Sequence, residues 1–185
     1  MTSLQHVPHL LSFEEFEALP ENKSARYEVQ EGVLIVTPRP VPKHAHAAFR
    51  LARQLDDQLP SGLAVLQEVD VPLNRIFPPT VRIPDLVITR SADLDAMVRV
   101  EDVLVAIEII SPGSRRTDTL IKPVEYAEAG IPHYWLIDLD APATLTAYHR
   151  AGDLGYQESP AVSGEFRTTA PVPVRLDLSG LTTPR

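Results

Sequence analysis

Three residues far apart in the chain carry side chains suited to phosphodiester chemistry: Asp85, Glu108 and Lys122. Glu108 interrupts an otherwise apolar run, Val103 to Ile110, that ends at Ser111-Pro112-Gly113-Ser114. Such a run bounded by a turn reads as a buried central strand. A lone carboxylate there is costly unless a cation or a metal meets it. Asp85 stands in Arg82-Ile83-Pro84-Asp85-Leu86-Val87-Ile88, a second acid at the start of a strand. Asp118 and Lys122 lie just beyond the turn. Two acids on neighbouring strands plus a lysine make a candidate divalent-metal site for phosphodiester hydrolysis, because hard cations take oxygen ligands and polarise phosphoryl oxygens. The plain alternatives are an Asp85 that caps a nearby amide, and a metal-free buried pair of Glu108 with Lys122 or Arg116.

The elements that must position these groups follow from local pattern. Ser12 and Glu15 have capping-box spacing and open a short helix over about 13–19. Strands over 26–30 and 33–37 flank Glu31-Gly32, a hairpin signal, and the first carries Glu28. Glu28 reads either as a solvated strand position or as part of the site. A helix over about 43–59 places Ala48, Leu51, Leu55 and Leu59 on one stripe with His44. His44 therefore points inward, as a capping or satisfied core histidine or as a site residue. Lys43, His46, Arg50 and Arg53 form a basic stripe on the other side, read as a solvated face.

Residues 63–73 and 81–89 read as strands, the second carrying Asp85, and 91–100 as a polar connection. A helix closed by Gly130 runs to Ala129. It begins either at Thr117 or at Pro123, because proline favours the first helical turn and disfavours helical geometry at the residue before it. The earlier start places Asp118, Lys122 and Tyr126 on one face by their spacing of four. Strands follow at 133–138, 144–149 and 156–158, and 172–178 is a final strand or an extended tail. This order predicts an α/β protein with one mixed central sheet flanked by α-helices.

The chain has 185 residues, enough for a single domain over 1–185 with a core of its own, and a flexible tail is expected after about 178. It contains no cysteine, which excludes disulfides, thiolate catalysis and cysteine-bound zinc. The first residues lack a signal-peptide pattern and no apolar run reaches the ~18 residues of a membrane span, so the expected location is the cytoplasm, with no membrane partner. A net charge of −8 argues against tight, sequence-blind binding of nucleic acid. Only Lys23, Lys43 and Lys122 are lysines, which singles out Lys122.

Several segments taken in order resemble the Uma2 family of endonucleases, a branch of the PD-(D/E)XK nuclease superfamily. They are Arg26-Tyr27-Glu28-Val29-Gln30-Glu31-Gly32, His44 before a helix, Arg82-Ile83-Pro84-Asp85, Ile107-Glu108-Ile109-Ile110-Ser111-Pro112-Gly113-Ser114, and Asp118 through Lys122 and Tyr126 to Asp138. The resemblance implies a restriction-endonuclease-like fold, Mg²⁺-dependent cleavage of DNA with Mn²⁺ as a substitute, and a homodimer. It implies that Asp85, Glu108 and the backbone carbonyl of Ile109 hold the ion. The superfamily's lysine belongs two residues after the second acid, where this chain has Ile110. Lys122 is the candidate to supply it, holding the attacking water or stabilising charge on the phosphorane. Glu28 is then an outer ligand, His44 a contact to phosphate or a positioner of an acid, and Asp118 and Tyr126 supports for Lys122. Two other functions remain open: a nuclease-like fold used only for binding or assembly, and a phosphodiesterase acting on RNA or nucleotides.

Overall fold

The computed structural model describes residues 9–22, 24–90 and 95–183, with Asp153 described by its backbone alone. Positions 91–94 of the expected polar connection lie outside these. Helix α1 (Phe13–Glu17) opens with the full capping box between Ser12 and Glu15. Strands β1 (Ala25–Gln30) and β2 (Val33–Pro38) pair around Glu31 and Gly32, whose φ angles of 48° and 79° give the left-handed two-residue turn that matches strand twist. An added Cβ on Gly32 would meet Leu10 at 2.9 Å, so this glycine also allows the N-terminal segment to close over the turn.

Helix α2 (Pro42–Asp56) starts with proline in its first turn and buries His44, Ala47, Ala48, Leu51, Ala52 and Leu55. The expected single strand over 63–73 is two strands, β3 (Ala64–Gln67) and β4 (Val71–Asn74). Likewise 81–89 divides into β5 (Thr80–Arg82) and β6 (Leu86–Thr89). Pro84 supplies the physical reason for the second break, since it has no N–H for a ladder. Each break moves the chain from one sheet to another: β4 and β5 join the sheet β2-β1-β5-β4, while β3 and β6 join the larger sheet.

The larger sheet is ordered β10-β9-β8-β7-β6-β3, where β7 is Val103–Ile109, β8 His133–Asp138, β9 Thr144–Arg150 and β10 Tyr156–Glu158. A short strand β11 (Val162–Ser163) also pairs with β9. Among the described residues only β7 and β8 run parallel, and their crossover carries helix α3 (Lys122–Glu128). A hairpin of β12 (Glu165–Thr168) and β13 (Val174–Asp177) forms a third sheet. The expected mixed sheet is the larger, seven-stranded one, and among the described residues it is joined by sheets of four and two strands.

Alternation along β7 sends Val105, Ile107 and Ile109 into the main core with α2, Trp135, Ile137 and Leu176. Ala106 and Ile110 face the opposite core with Tyr126, Ile131 and Tyr134. Glu108, between Ala106 and Ile110 in the same alternation, lies on that second face. The C-terminal hairpin closes the main core. Gln54 of α2 and Gln58 just beyond its end hydrogen-bond the backbone of β13, at Asp177 and Arg175 respectively, and so occupy an otherwise open strand edge. After β13 the chain forms a short 3-10 turn, Ser179–Leu181, in which Leu181 is fully buried against this core.

Candidate active site

The candidate residues meet where the two larger sheets abut. The break after β5 sets Asp85 at the head of β6, where its carboxylate accepts from the backbone N–H of Ile109 at 2.8 Å and from Arg26 at 3.2 Å. His44, one turn into α2, places Nε2 3.1 Å from Asp85 Oδ2 and 2.9 Å from the Ile109 carbonyl. Both neighbours are acceptors, so this nitrogen carries the proton. Of the two expected roles for His44, the geometry is that of a residue orienting an acid. Its Nδ1 is buried with no hydrogen-bond partner among the described residues.

Glu108 is 2% exposed, and its Oε1 accepts from Lys122 Nζ at 2.7 Å and from the Tyr126 hydroxyl at 2.7 Å. Lys122 also lies 3.2 Å from Asp118 and 3.8 Å from Glu28. The start of the α3 segment explains the convergence. Residues Thr117–Ile121 form a wide π-helical turn, with the Lys122 N–H reaching back to the Thr117 carbonyl. Pro123 offers no N–H to continue a regular ladder, and π turns of this kind recur at functional sites. Lys122 itself is helical despite preceding proline (φ −58°, ψ −38°). The earlier of the two possible starts is thus the one the chain adopts, and Asp118, Lys122 and Tyr126 face the same carboxylate. Tyr126 was expected to support Lys122; it reaches past the lysine and donates to Glu108 directly.

Glu28 lines the same pocket as Glu108 and Lys122. Its carboxylate accepts from the Ile83 N–H at 2.9 Å and from Arg82 at 3.2 Å, which ties β1 to the segment that delivers Asp85. Arg82 is fully buried and forms a forked pair with Glu125 at 2.7 and 2.8 Å. Sequence reasoning assigned no role to Arg26, Arg82 or Glu125. The signals were present: Arg26 is two positions before Glu28 and so on the same strand face, Arg82 opens the segment holding Asp85, and Glu125 is one helical turn after Lys122.

The electrostatics separate the two acids. Burial alone would raise Asp85, but hydrogen bonds from His44 and Ile109 and the charge of Lys122 hold it below the usual carboxylate range. Burial pushes Glu108 up to about 8 against the attraction of Lys122, with Asp85, Asp118 and Glu28 adding to the rise. Asp118 is also raised by burial, offset in part by Lys122. Burial would lower Lys122, yet Glu108, Glu28 and Asp118 keep it well above its ordinary value. His44 is raised as well, its contact with Asp85 outweighing burial. Lys122 is thus a fixed ammonium, able to donate hydrogen bonds and neutralise charge but not to accept a proton.

Asp85, Glu108, Ile109, His44 and Lys122 line one pocket of about 390 Å³. Its oxygen donors, two carboxylates and a backbone carbonyl, have the chemistry a hard divalent cation takes. Both described hydrogen bonds to Glu108 fall on Oε1, and the Ile109 carbonyl keeps a second lone pair beside His44. Among the described residues no group of three or more His, Asp or Glu side chains forms a ready cage.

Fold and pocket together place the molecule among nuclease-like α/β proteins. A crystal structure of a "putative nuclease belonging to DUF820" from Anabaena variabilis superimposes with a TM-score of 0.70 and 19% identity, covering 93% of this chain and 97% of that one. The Uma2 family, described as "putative restriction endonuclease", matches residues 13–183, and the chain belongs to that family. No curated protein matches it. Among the described residues no helix is long and apolar enough to cross a membrane.

Proposed function

We propose that this protein is a Mg²⁺-dependent endonuclease that hydrolyses DNA phosphodiester bonds at the Asp85–Glu108–Lys122 pocket, with Mn²⁺ able to replace Mg²⁺. The observation that carries the reading is the 2.7 Å contact of Lys122 with a buried Glu108 beside a second acid, Asp85, in one pocket. The Uma2 family's description as a restriction endonuclease supports the same class of substrate.

In this reading Asp85, Glu108 and the Ile109 carbonyl hold the cation. When bound, it supplies Lewis acidity toward the scissile phosphate and toward water. His44 and the Ile109 N–H fix the Asp85 carboxylate in orientation. Tyr126 and Lys122 do the same for Glu108 through Oε1, so Oε2 would be the oxygen available to a cation. Lys122 donates to a phosphate oxygen or to the attacking water and offsets the negative charge that grows in the transition state. Asp118 and Glu28 keep the ammonium aimed. Cutting both strands of a duplex needs two such centres, so the proposed active unit is a homodimer.

The test is Glu108→Gln, which preserves shape and removes the ligand charge. Mn²⁺-dependent nicking of supercoiled plasmid is expected to disappear while circular dichroism and the melting profile stay native. Nicking by the variant at the native rate rules out the assignment. Parallel assays on DNA, RNA and a small phosphodiester separate the proposed substrate from the others, and absence of Mn²⁺ uptake in calorimetry would leave the fold as a binding or assembly module.

A further inference from the structure

A protein of net charge −8 with an acidic pocket must hold a DNA backbone through a local cluster of positive charge. The pocket mouth holds two arginines whose charges are offset in the free protein by Glu68 and Asp85. Arg26 and Arg39 both line the pocket, and Glu68 lies between them. Arg26 Nη1 stands 3.7 Å from Glu68 Oε1 while reaching Asp85 at 3.2 Å on its other side. Arg39 Nη1 meets Glu68 Oε2 at 3.0 Å. The inner guanidinium therefore borders the proposed reacting centre, and the outer one, 44% exposed, faces solvent.

Glu68 is held in place by more than its side chain. Its N–H contacts the Asp85 carbonyl at 3.3 Å, and its φ is +51°, a conformation uncommon outside glycine and asparagine. The other non-glycine residue of this kind, Glu31, sits in the tight hairpin turn that requires it. Glu68 instead lies between β3 and β4, which belong to different sheets. A carboxylate fixed between two guanidinium groups presents two acceptor oxygens as a phosphate does, and arginine forks suit both anions.

We propose that Arg26 and Arg39 form a clamp for a backbone phosphate of the DNA strand next to the scissile one, and that Glu68 occupies the clamp until substrate displaces it. This deepens the nuclease reading and rests on it for the identity of the substrate. The clamp holds the strand in register over the Asp85–Glu108 pocket. Glu68 also repels polyanions, which keeps sequence-blind affinity low.

The test is fluorescence anisotropy with a labelled random-sequence DNA duplex in EDTA, across a salt series, for the wild type, Arg39→Gln and Glu68→Gln. Arg39→Gln is expected to weaken binding about tenfold, the effect of losing one charge-assisted hydrogen bond, and to flatten the slope of log affinity against log salt by about 0.9. Glu68→Gln is expected to tighten binding a few-fold. Arg39 and Glu68 are partly exposed, so both variants keep the fold, and a purely structural role would leave the salt slope unchanged. Unchanged affinity and slope in both variants overturn the clamp, whatever the nicking assay shows. The expected shifts without any Mn²⁺-dependent nicking uphold the clamp and overturn the hydrolytic reading instead.

Discussion

Glu108 is raised from its ordinary 4.5 to about 8 by burial first and by neighbouring acids second. Between those values the metal-free native state keeps a proton that the unfolded chain releases. The unfolded state then binds fewer protons, so stability falls as pH rises from about 4.5 to about 8 and levels off above that. Glu108→Gln has no proton to lose, and its urea midpoint in EDTA is expected to vary less over this window. Identical pH profiles for variant and wild type would refute the burial account. Tyr126→Phe removes one donor from the same carboxylate and is expected to cost about 1 kcal/mol in urea unfolding. At this scale the sequence announced the acids and the lysine, because a carboxylate inside an apolar run has few innocent explanations. It did not announce Arg26 or Arg82. A charged residue on a short strand reads by default as solvent-facing, and only the fold reveals that Arg82 is enclosed between Glu28 and Glu125.

Arg82 matters most at the scale of elements. It joins β5 to β1 through Glu28 and to α3 through Glu125, so it fixes the segment bearing Asp85 against the helix bearing Lys122. Replacing it with Met leaves two largely buried carboxylates facing each other. The expected loss is about 3–5 kcal/mol, the usual cost of breaking a buried pair from one side, read from the denaturant midpoint. A loss near zero would mean that the carboxylates re-pair elsewhere. Helix and hairpin positions were legible from capping, periodicity and turn residues. The breaks at 68–70 and 83–85 were not. Glu68, Asp70 and Pro84 interrupt the apolar pattern at these places, but only pairing with distant strands decides that one sheet gives way to another there.

At the scale of the whole molecule, α2 and the C-terminal hairpin close the main core over the largest sheet. Leu181 is fully buried in that closure, so Leu181→Ala is expected to destabilise the protein by about 2–5 kcal/mol, measured by thermal or urea unfolding. A change within about 0.5 kcal/mol would restore the picture of a loose tail. The sequence suggested a loose end because short polar residues surround that leucine; its burial depends on a partner surface built by residues more than a hundred positions earlier. The crossover between β7 and β8 has a last consequence. By sourcing its ammonium from the helix, the molecule releases position 110 to be hydrocarbon, and Ile110 fills the space against Tyr126 and Ile131. Chemistry and packing have exchanged addresses along the polymer while carboxylate and ammonium still meet in space. A pattern search that demands lysine at a set offset from the acid would therefore pass over proteins built this way, whereas a search on three-dimensional placement would find them.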